Sequence, residues 1–216
     1  MENPREVTSV ASCWRCHASV SAMVCPACGA PQPLPADTDH FALLAIPRTL
    51  TVDLEELERR YHTLSRGAHP DRHQAAEPRA RQLSIALTAE LNRAYRTLRD
   101  PVARGRYWLT LHGSPLGANN NHVPPSLAAL VFETQEEIEL LREQPSPDRR
   151  ERVAGMHAGI TARIADLEAA LTARYAAWGA GEAASHDALQ ELRVRLTELA
   201  YLGTLSEDVE AALEPA

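Results

Sequence analysis

Residues 66 to 73, Arg-Gly-Ala-His-Pro-Asp-Arg-His, separate two long segments of helical periodicity, and this interruption constrains the fold more than any other feature. Pro70 lacks an N–H group and disfavours the α conformation at His69, so a helix must end before it. Gly67 can adopt the positive φ of a helix C-terminus. The pattern predicts an exposed polar turn around His69-Pro70-Asp71, joining two helices. Polar turns of this composition are common, so His-Pro-Asp by itself does not indicate a function. The residues on both sides of the turn must supply that indication.

The segments on both sides of the turn have apolar residues at helical spacing. The first predicts a helix from about residue 53 to 66, with Arg59, Arg60 and Arg66 off its apolar stripe. The second predicts a long helix from about residue 78 to 99. Two such helices joined by a loop pack as an antiparallel hairpin. A short capped helix after Asp39 and a helix that begins at Asp100-Pro101 complete this part of the chain.

The four cysteines form two Cys-x-x-Cys pairs within the first 28 residues, separated by eight residues. Two such pairs can direct four thiolates onto one ion, which is typical of a structural zinc site. Tetrahedral sulfur also suits iron, so the spacing leaves zinc and iron open. A pair of disulfides is the alternative, which a reducing compartment disfavours. The predicted metal ligands are Cys13, Cys16, Cys25 and Cys28.

This cysteine segment, residues 1–30, has few apolar residues, so metal binding would supply most of its folding energy. His17 is redundant once four thiolates are present, and we expect it at the surface. Residues 31–38 form a proline-rich, extended linker. We expect the cysteine segment to fold as a small module independent of the helices.

The C-terminal part of the chain, residues 126–216, predicts three helices joined by short turns. Apolar residues recur every three or four positions in each helix, and helices of this kind form a bundle. Residues 114–125, which include three consecutive asparagines, are predicted to be a linker. The predicted fold class is therefore all-α, apart from the small cysteine knuckle.

The charge and the hydropathy of the chain argue against several classes of protein. The net charge is −7, which argues against a general nucleic-acid-binding protein. Residues 41–112 nevertheless carry 12 arginines against eight acidic residues, so a locally basic module is joined to acidic flanks. No run of about 18 apolar residues predicts a membrane span. The N-terminus has no apolar signal segment, and a cytoplasmic protein is the default expectation.

The order of helices around His-Pro-Asp resembles a J-domain, and the surrounding motifs resemble the HscB (Jac-type) iron–sulfur co-chaperone family. The motifs are residues 40–47 (HFALLAIP), 89–101 (AELNRAYRTLRDP) and 107–113 (YWLTLHG). The acidic C-terminal helices resemble that family's second domain, and the four cysteines resemble its longer variants. The resemblance implies an L-shaped molecule with a J-domain at residues 39–113 and a scaffold-binding domain at 126–216.

The resemblance also implies partners. In that family the J-domain stimulates ATP hydrolysis by a DnaK-class chaperone of the HscA type, and the C-terminal domain holds the iron–sulfur scaffold protein IscU. Residues that would contact the chaperone are His69, Pro70, Asp71, Arg59, Arg60 and Arg66. Residues that would contact the scaffold are Ala129, Phe132, Glu133 and Glu136. A competing interpretation makes Phe132 a core residue and the glutamates a solvated face. Around the turn, Gly67-Ala68 and Arg72-His73 depart from the family's usual residues.

We do not expect the chain to be an enzyme, because it has no phosphate loop and no Gly-x-Ser-x-Gly motif. His69 beside Asp71 lies on an exposed loop, which is poor ground for acid–base catalysis. The alternative function is a metal- or redox-sensing knuckle protein whose helices are only an interaction scaffold. A sensor would not need His-Pro-Asp. A third possibility is a J-protein that binds unfolded clients. Such proteins usually contain a Gly/Phe-rich segment, which this sequence does not show.

Overall fold

The computed structural model describes residues 11–73, 76–117, 123–178 and 181–214. Within these residues the chain forms seven α-helices and one two-stranded sheet, so the predicted all-α fold class is confirmed. Residues 1–10 and the asparagine run of the second linker lie outside the described residues. The chain divides into two compact units, Met1–Arg48 with Val52–Arg99 and Thr49–Thr51 with Asp100–Ala216.

The cysteine segment of the first unit is organised by two short hairpins. Strands β1 (Ala11–Ser12) and β2 (Ser19–Val20) pair antiparallel, with Ala11 opposite Val20, and the first cysteine pair occupies the turn between them. An isolated bridge joins Val24 to Pro31 around the second cysteine pair. Each Cys-x-x-Cys sequence is therefore held at the tip of a hairpin.

Three helices complete the first unit: α1 (His40–Leu43), α2 (Leu54–Ala68) and α3 (Pro78–Arg99). Asp39 and Asp53 cap α1 and α2 by accepting hydrogen bonds from first-turn N–H groups, which satisfies donors that have no partner inside the helix. Helices α2 and α3 pack together as the predicted hairpin. The buried apolar residues of the three helices include Phe41, Leu57, Leu87, Leu91, Ala94 and Leu98.

The end of α2 differs from the sequence expectation at Gly67. The helix continues through Gly67 to Ala68, and among the described glycines only Gly29 and Gly113 have positive φ. The expectation of a left-handed Gly67 was wrong because Pro70 ends the helix by itself. His69 takes an extended ψ of 131° before the proline, and a single 3₁₀ turn, Pro70–His73, follows.

Four helices form the second unit: α4 (Pro101–Leu111), α5 (Ala128–Glu143), α6 (Pro147–Ala177) and α7 (His186–Leu213). Side chains at Asp100, Ser146 and Ser185 cap α4, α6 and α7. The last three helices pack on one another around an aliphatic core. Its buried members are Leu127, Ile138, Leu141, Val153, Ile160, Leu202, Leu205 and Val209.

Helix α4 packs against α6 and α7, although the resemblance includes it in the J-domain. Gly105 permits this close approach, since a Cβ atom there would lie 2.2 Å from the Tyr175 hydroxyl. That buried hydroxyl donates a hydrogen bond of 2.9 Å to the carbonyl of Pro101, and burial raises the pKa of Tyr175. The indole N–H of Trp108 likewise donates to the carbonyl of Ala183.

Among the described helices, none combines the length and hydropathy needed to cross a bilayer.

Candidate functional site

The structure brings the four predicted metal ligands together. The ligand atoms of Cys13, Cys16, Cys25 and Cys28 all lie within 4.8 Å of one another. The sulfurs of Cys13 and Cys28 are 3.7 Å apart, as are those of Cys16 and Cys25. A tetrahedral ion with bonds of about 2.3 Å to sulfur places its ligands roughly 3.8 Å apart. The arrangement therefore fits a tetrahedral metal ion and could hold one.

The two hairpins present their sulfurs through the same local geometry. The residue after each cysteine pair is left-handed, with φ of 61° at His17 and 69° at Gly29. His17 donates its backbone N–H to the carbonyl of Cys13, and Gly29 donates to that of Cys25. Glycine adopts this conformation without strain, whereas histidine does so at some cost. His17 is exposed and lies outside the sulfur cluster, as expected from the ligand count.

Side chains around the cluster complete the site. Gln32, buried although polar, donates through Nε2 to the Cys13 sulfur at 3.3 Å and to the carbonyl of Ala30. The Trp14 indole N–H donates to the carbonyl of Pro31 at 2.7 Å, which joins the two hairpins.

Burial alone would raise the pKa of the Cys13 thiol. Hydrogen bonds from N–H groups of the adjacent turn and from neighbouring thiols outweigh burial and lower the pKa to about 6. At Cys28 the Ala30 backbone lowers the pKa, but burial and the other three thiols raise it by more. The thiolate, the form that binds metal, is therefore favoured at Cys13 but not at Cys28.

The His-Pro-Asp turn is exposed and internally ordered. The backbone N–H of Asp71 donates to His69 Nδ1 at 3.2 Å, and the Asp71 carboxylate lies 3.5 Å from the same nitrogen. The His69 and Asp71 side chains are 52% and 71% exposed. Both groups can therefore be reached by a partner molecule without unfolding the turn.

Two residues that the sequence analysis missed hold this turn in place. Ser84 Oγ donates to the carbonyl of Ala68 at 2.6 Å, and Thr88 Oγ1 approaches the same oxygen at 3.3 Å. Pro70 and the turn deprive that carbonyl of a helical partner, so α3 supplies the donors. A detectable signal exists in the sequence: Ser84 interrupts the apolar face of α3, where a buried hydroxyl requires a partner.

The predicted basic face of α2 is exposed but partly neutralised. Arg59 and Arg60 both form ion pairs with Glu56. Arg66 donates through Nε to the carbonyl of His62, and its side chain stays exposed. The positive charge of α2 is therefore concentrated toward its C-terminal end, next to the turn.

Ala129, Phe132, Glu133 and Glu136 lie on one exposed face of α5, in the second unit. Their spacing of three and four residues places them side by side along the helix. Phe132 is 70% exposed, so it is not a core residue of this chain. A large exposed aromatic side chain surrounded by carboxylates is typical of a binding surface.

The helical hairpin is similar to a known domain family. Residues 39–107 match the DnaJ domain family, so this part of the chain is similar to a J-domain. Relatives of the chain include HscB co-chaperone homologues, in agreement with the resemblance stated above. The co-chaperone protein HscB homolog of Paraburkholderia phymatum is 38% identical over 101 residues, which cover 46% of this chain and 58% of that protein.

The homolog from Ralstonia nicotianae is 36% identical over 104 residues, covering 48% of this chain and 59% of that protein. The chain thus matches less than two thirds of the length of either relative. Two solved structures share the fold at 24% identity. Human co-chaperone protein HscB has a TM-score of 0.67 and covers 92% of this chain and 96% of its own. Chaperone HscB from Vibrio cholerae has a TM-score of 0.58, with 81% and 96% covered.

Proposed function

We propose that this chain is a co-chaperone of iron–sulfur cluster assembly. Its His69-Pro70-Asp71 turn stimulates ATP hydrolysis by a DnaK-class chaperone of the HscA type, and its α5 face delivers the scaffold protein IscU to that chaperone. The chain itself hydrolyses nothing. The observation that carries the proposal is the exposed His-Pro-Asp turn, held by α3 within the DnaJ domain match.

The chemistry of the turn suits an arginine-bearing partner. The exposed Asp71 carboxylate can accept charge-assisted hydrogen bonds, which are stronger than neutral ones and match the planar donors of a guanidinium. Arg59, Arg60 and Arg66 increase the rate of encounter with an acidic chaperone surface. The acidic α5 face binds a scaffold surface that is apolar at its centre and basic around it.

The experiment measures ATP hydrolysis by a DnaK-class chaperone with increasing amounts of this chain. His69→Gln should abolish stimulation and leave the melting temperature unchanged, since the side chain is exposed and contributes little to the core. The matched control is His186→Gln, an exposed histidine of the second unit, which should stimulate like wild type. Stimulation that survives His69→Gln would rule out this function.

The cysteine cluster favours a second candidate, a metal- or redox-sensing protein. Four cysteines in one cluster would serve a sensor as well as a structural site. We propose a structural zinc ion, with iron as the alternative, because four thiolates leave no open position for chemistry. Reversible metal release at physiological redox potential, without effect on any chaperone ATPase, would favour the sensor.

A further inference from the structure

The cysteine segment lies against the His-Pro-Asp end of the helical hairpin, although the sequence suggests an independent module. A cleft of about 320 Å³ separates the two parts within the first unit. One wall comes from the cysteine hairpins and the other from the end of α2 and the 3₁₀ turn. The lining residues are Arg15, Val24, Cys28 and Gly29 on the first wall, and Gly67, Arg72, His73 and Ala76 on the second.

Two side-chain contacts join the cysteine hairpins to the helical hairpin beside the turn, and a glycine leaves room for them. The Arg79 guanidinium lies over the Trp14 ring, 4.6 Å from its centroid, a cation–π contact. Arg15 Nε lies 3.7 Å from a Glu77 carboxylate oxygen. A Cβ at Gly67 would lie 3.9 Å from a methyl group of Val24, so a side chain longer than alanine would crowd the hairpin.

Two arginine side chains face solvent at the cleft. Arg15 and Arg72 lie on opposite walls. The Arg15–Glu77 pair leaves each side chain about half exposed, at 49% and 48%, so it is a weak surface pair. His73, 8% exposed, has an Nε2 atom without a hydrogen-bond partner within the described part of the chain. Arg72 makes a long contact of 3.5 Å with the Arg66 carbonyl, so the guanidinium groups of both walls retain donors for a partner.

We propose that the chaperone-binding surface extends from the His-Pro-Asp turn across this cleft onto the metal knuckle, with Arg15 and Arg72 both donating hydrogen bonds to a carboxylate side chain of the ATPase partner. The inference rests on the proposed function, because it names that partner. The metal knuckle acts as the second half of a docking surface. It orients Arg15 toward the arginine contributed by the helical hairpin.

The test compares charge variants by direct binding to the ATP-bound chaperone and by ATPase stimulation. Arg15→Glu should raise the dissociation constant and the half-saturating concentration about fivefold, as loss of roughly one favourable charge pair does, with maximal stimulation unchanged. Glu77→Gln should lower both values, since it removes the competing carboxylate. The matched control is Arg96→Glu, an exposed arginine in the last turn of α3, which should behave like wild type.

Metal removal supplies an independent comparison. Chelation should release about one equivalent of metal, change Trp14 fluorescence and weaken binding as much as Arg15→Glu does. Arg15→Glu in the metal-free chain should then have no further effect. Equal binding by Arg15→Glu and wild type, with His69→Gln inactive, would overturn this inference alone. Absence of wild-type binding to the chaperone would overturn the proposed function as well.

Discussion

The hydroxyl of Ser84 donates a 2.6 Å hydrogen bond to the backbone carbonyl of Ala68, the last residue of α2. Both groups are buried, and the bond joins positions 16 residues apart across the helical hairpin. It ties the point at which α2 ends to the second turn of α3. The geometry of the His-Pro-Asp turn therefore depends on α3 as well as on Pro70.

Ser84→Ala should lower the free energy of unfolding by about 1–3 kcal/mol, because the Ala68 carbonyl keeps only its longer contact with Thr88. The half-saturating concentration for ATPase stimulation should rise, since the turn loses a support. Denaturant melts and ATPase titrations measure the two effects. Thr204→Ala, which removes an exposed hydroxyl bonded within α7, should change neither. A melt equal to wild type for Ser84→Ala would show that Thr88 alone satisfies the carbonyl.

Gly105→Ala should destabilise the second unit by about 1–3 kcal/mol, since the added methyl would overlap the Tyr175 hydroxyl. Tyr175→Phe removes that oxygen and leaves the Pro101 carbonyl without its donor. The double variant should therefore lose less stability than the sum of the single variants, a coupling that denaturant melts measure. Additive losses would mean that the crowding is relieved elsewhere.

Combined Cys13→Ser and Cys16→Ser should lose one equivalent of metal, because two thiolates cannot close a tetrahedral structural site. Elemental analysis and Trp14 fluorescence should report the loss, while far-ultraviolet circular dichroism keeps its helical signal. His17→Asn is the matched control: it removes an imidazole beside the cluster, and asparagine tolerates the left-handed conformation found there. Wild-type protein purified without any bound metal would contradict the site.

Local chemistry explains why much of this fold could be predicted. Proline and capping residues act within one helical turn, so Asp39, Pro70 and Asp100 marked their boundaries correctly. The metal cluster could be predicted equally well, because the Cys-x-x-Cys spacing itself determines which sulfurs converge. Gly67 was misassigned, since a C-terminal glycine is a tendency and Pro70 already ends the helix.

The remaining features depend on residues far apart in the chain. The role of Gly105 depends on its packing against Tyr175, and the role of Ser84 depends on its hydrogen bond to Ala68. Periodicity assigns each of them to a helix face but not to a partner. The contact of Trp14 with Arg79 escaped prediction for the same reason, because the intervening linker does not specify where the cysteine hairpins pack.

The last prediction concerns Phe132. Its side chain is 70% exposed, so Phe132→Ala should change the free energy of unfolding by less than about 0.5 kcal/mol. Binding to IscU should weaken by roughly 2 kcal/mol, as truncation of a central aromatic anchor does. Val194→Ala, which shortens another exposed apolar residue of the second unit, is the control and should bind normally.

The glutamates beside Phe132 test the electrostatic half of the same surface. Glu133→Arg or Glu136→Arg should slow association with IscU and change its salt dependence, because exposed interface charges act mainly on the encounter rate. Stopped-flow association at several salt concentrations measures this. ATPase stimulation without IscU should stay at the wild-type level, since these residues lie in a different unit from His69. If Glu133→Arg and Glu136→Arg associate at the wild-type rate and Phe132→Ala binds normally, the scaffold does not bind this face of α5.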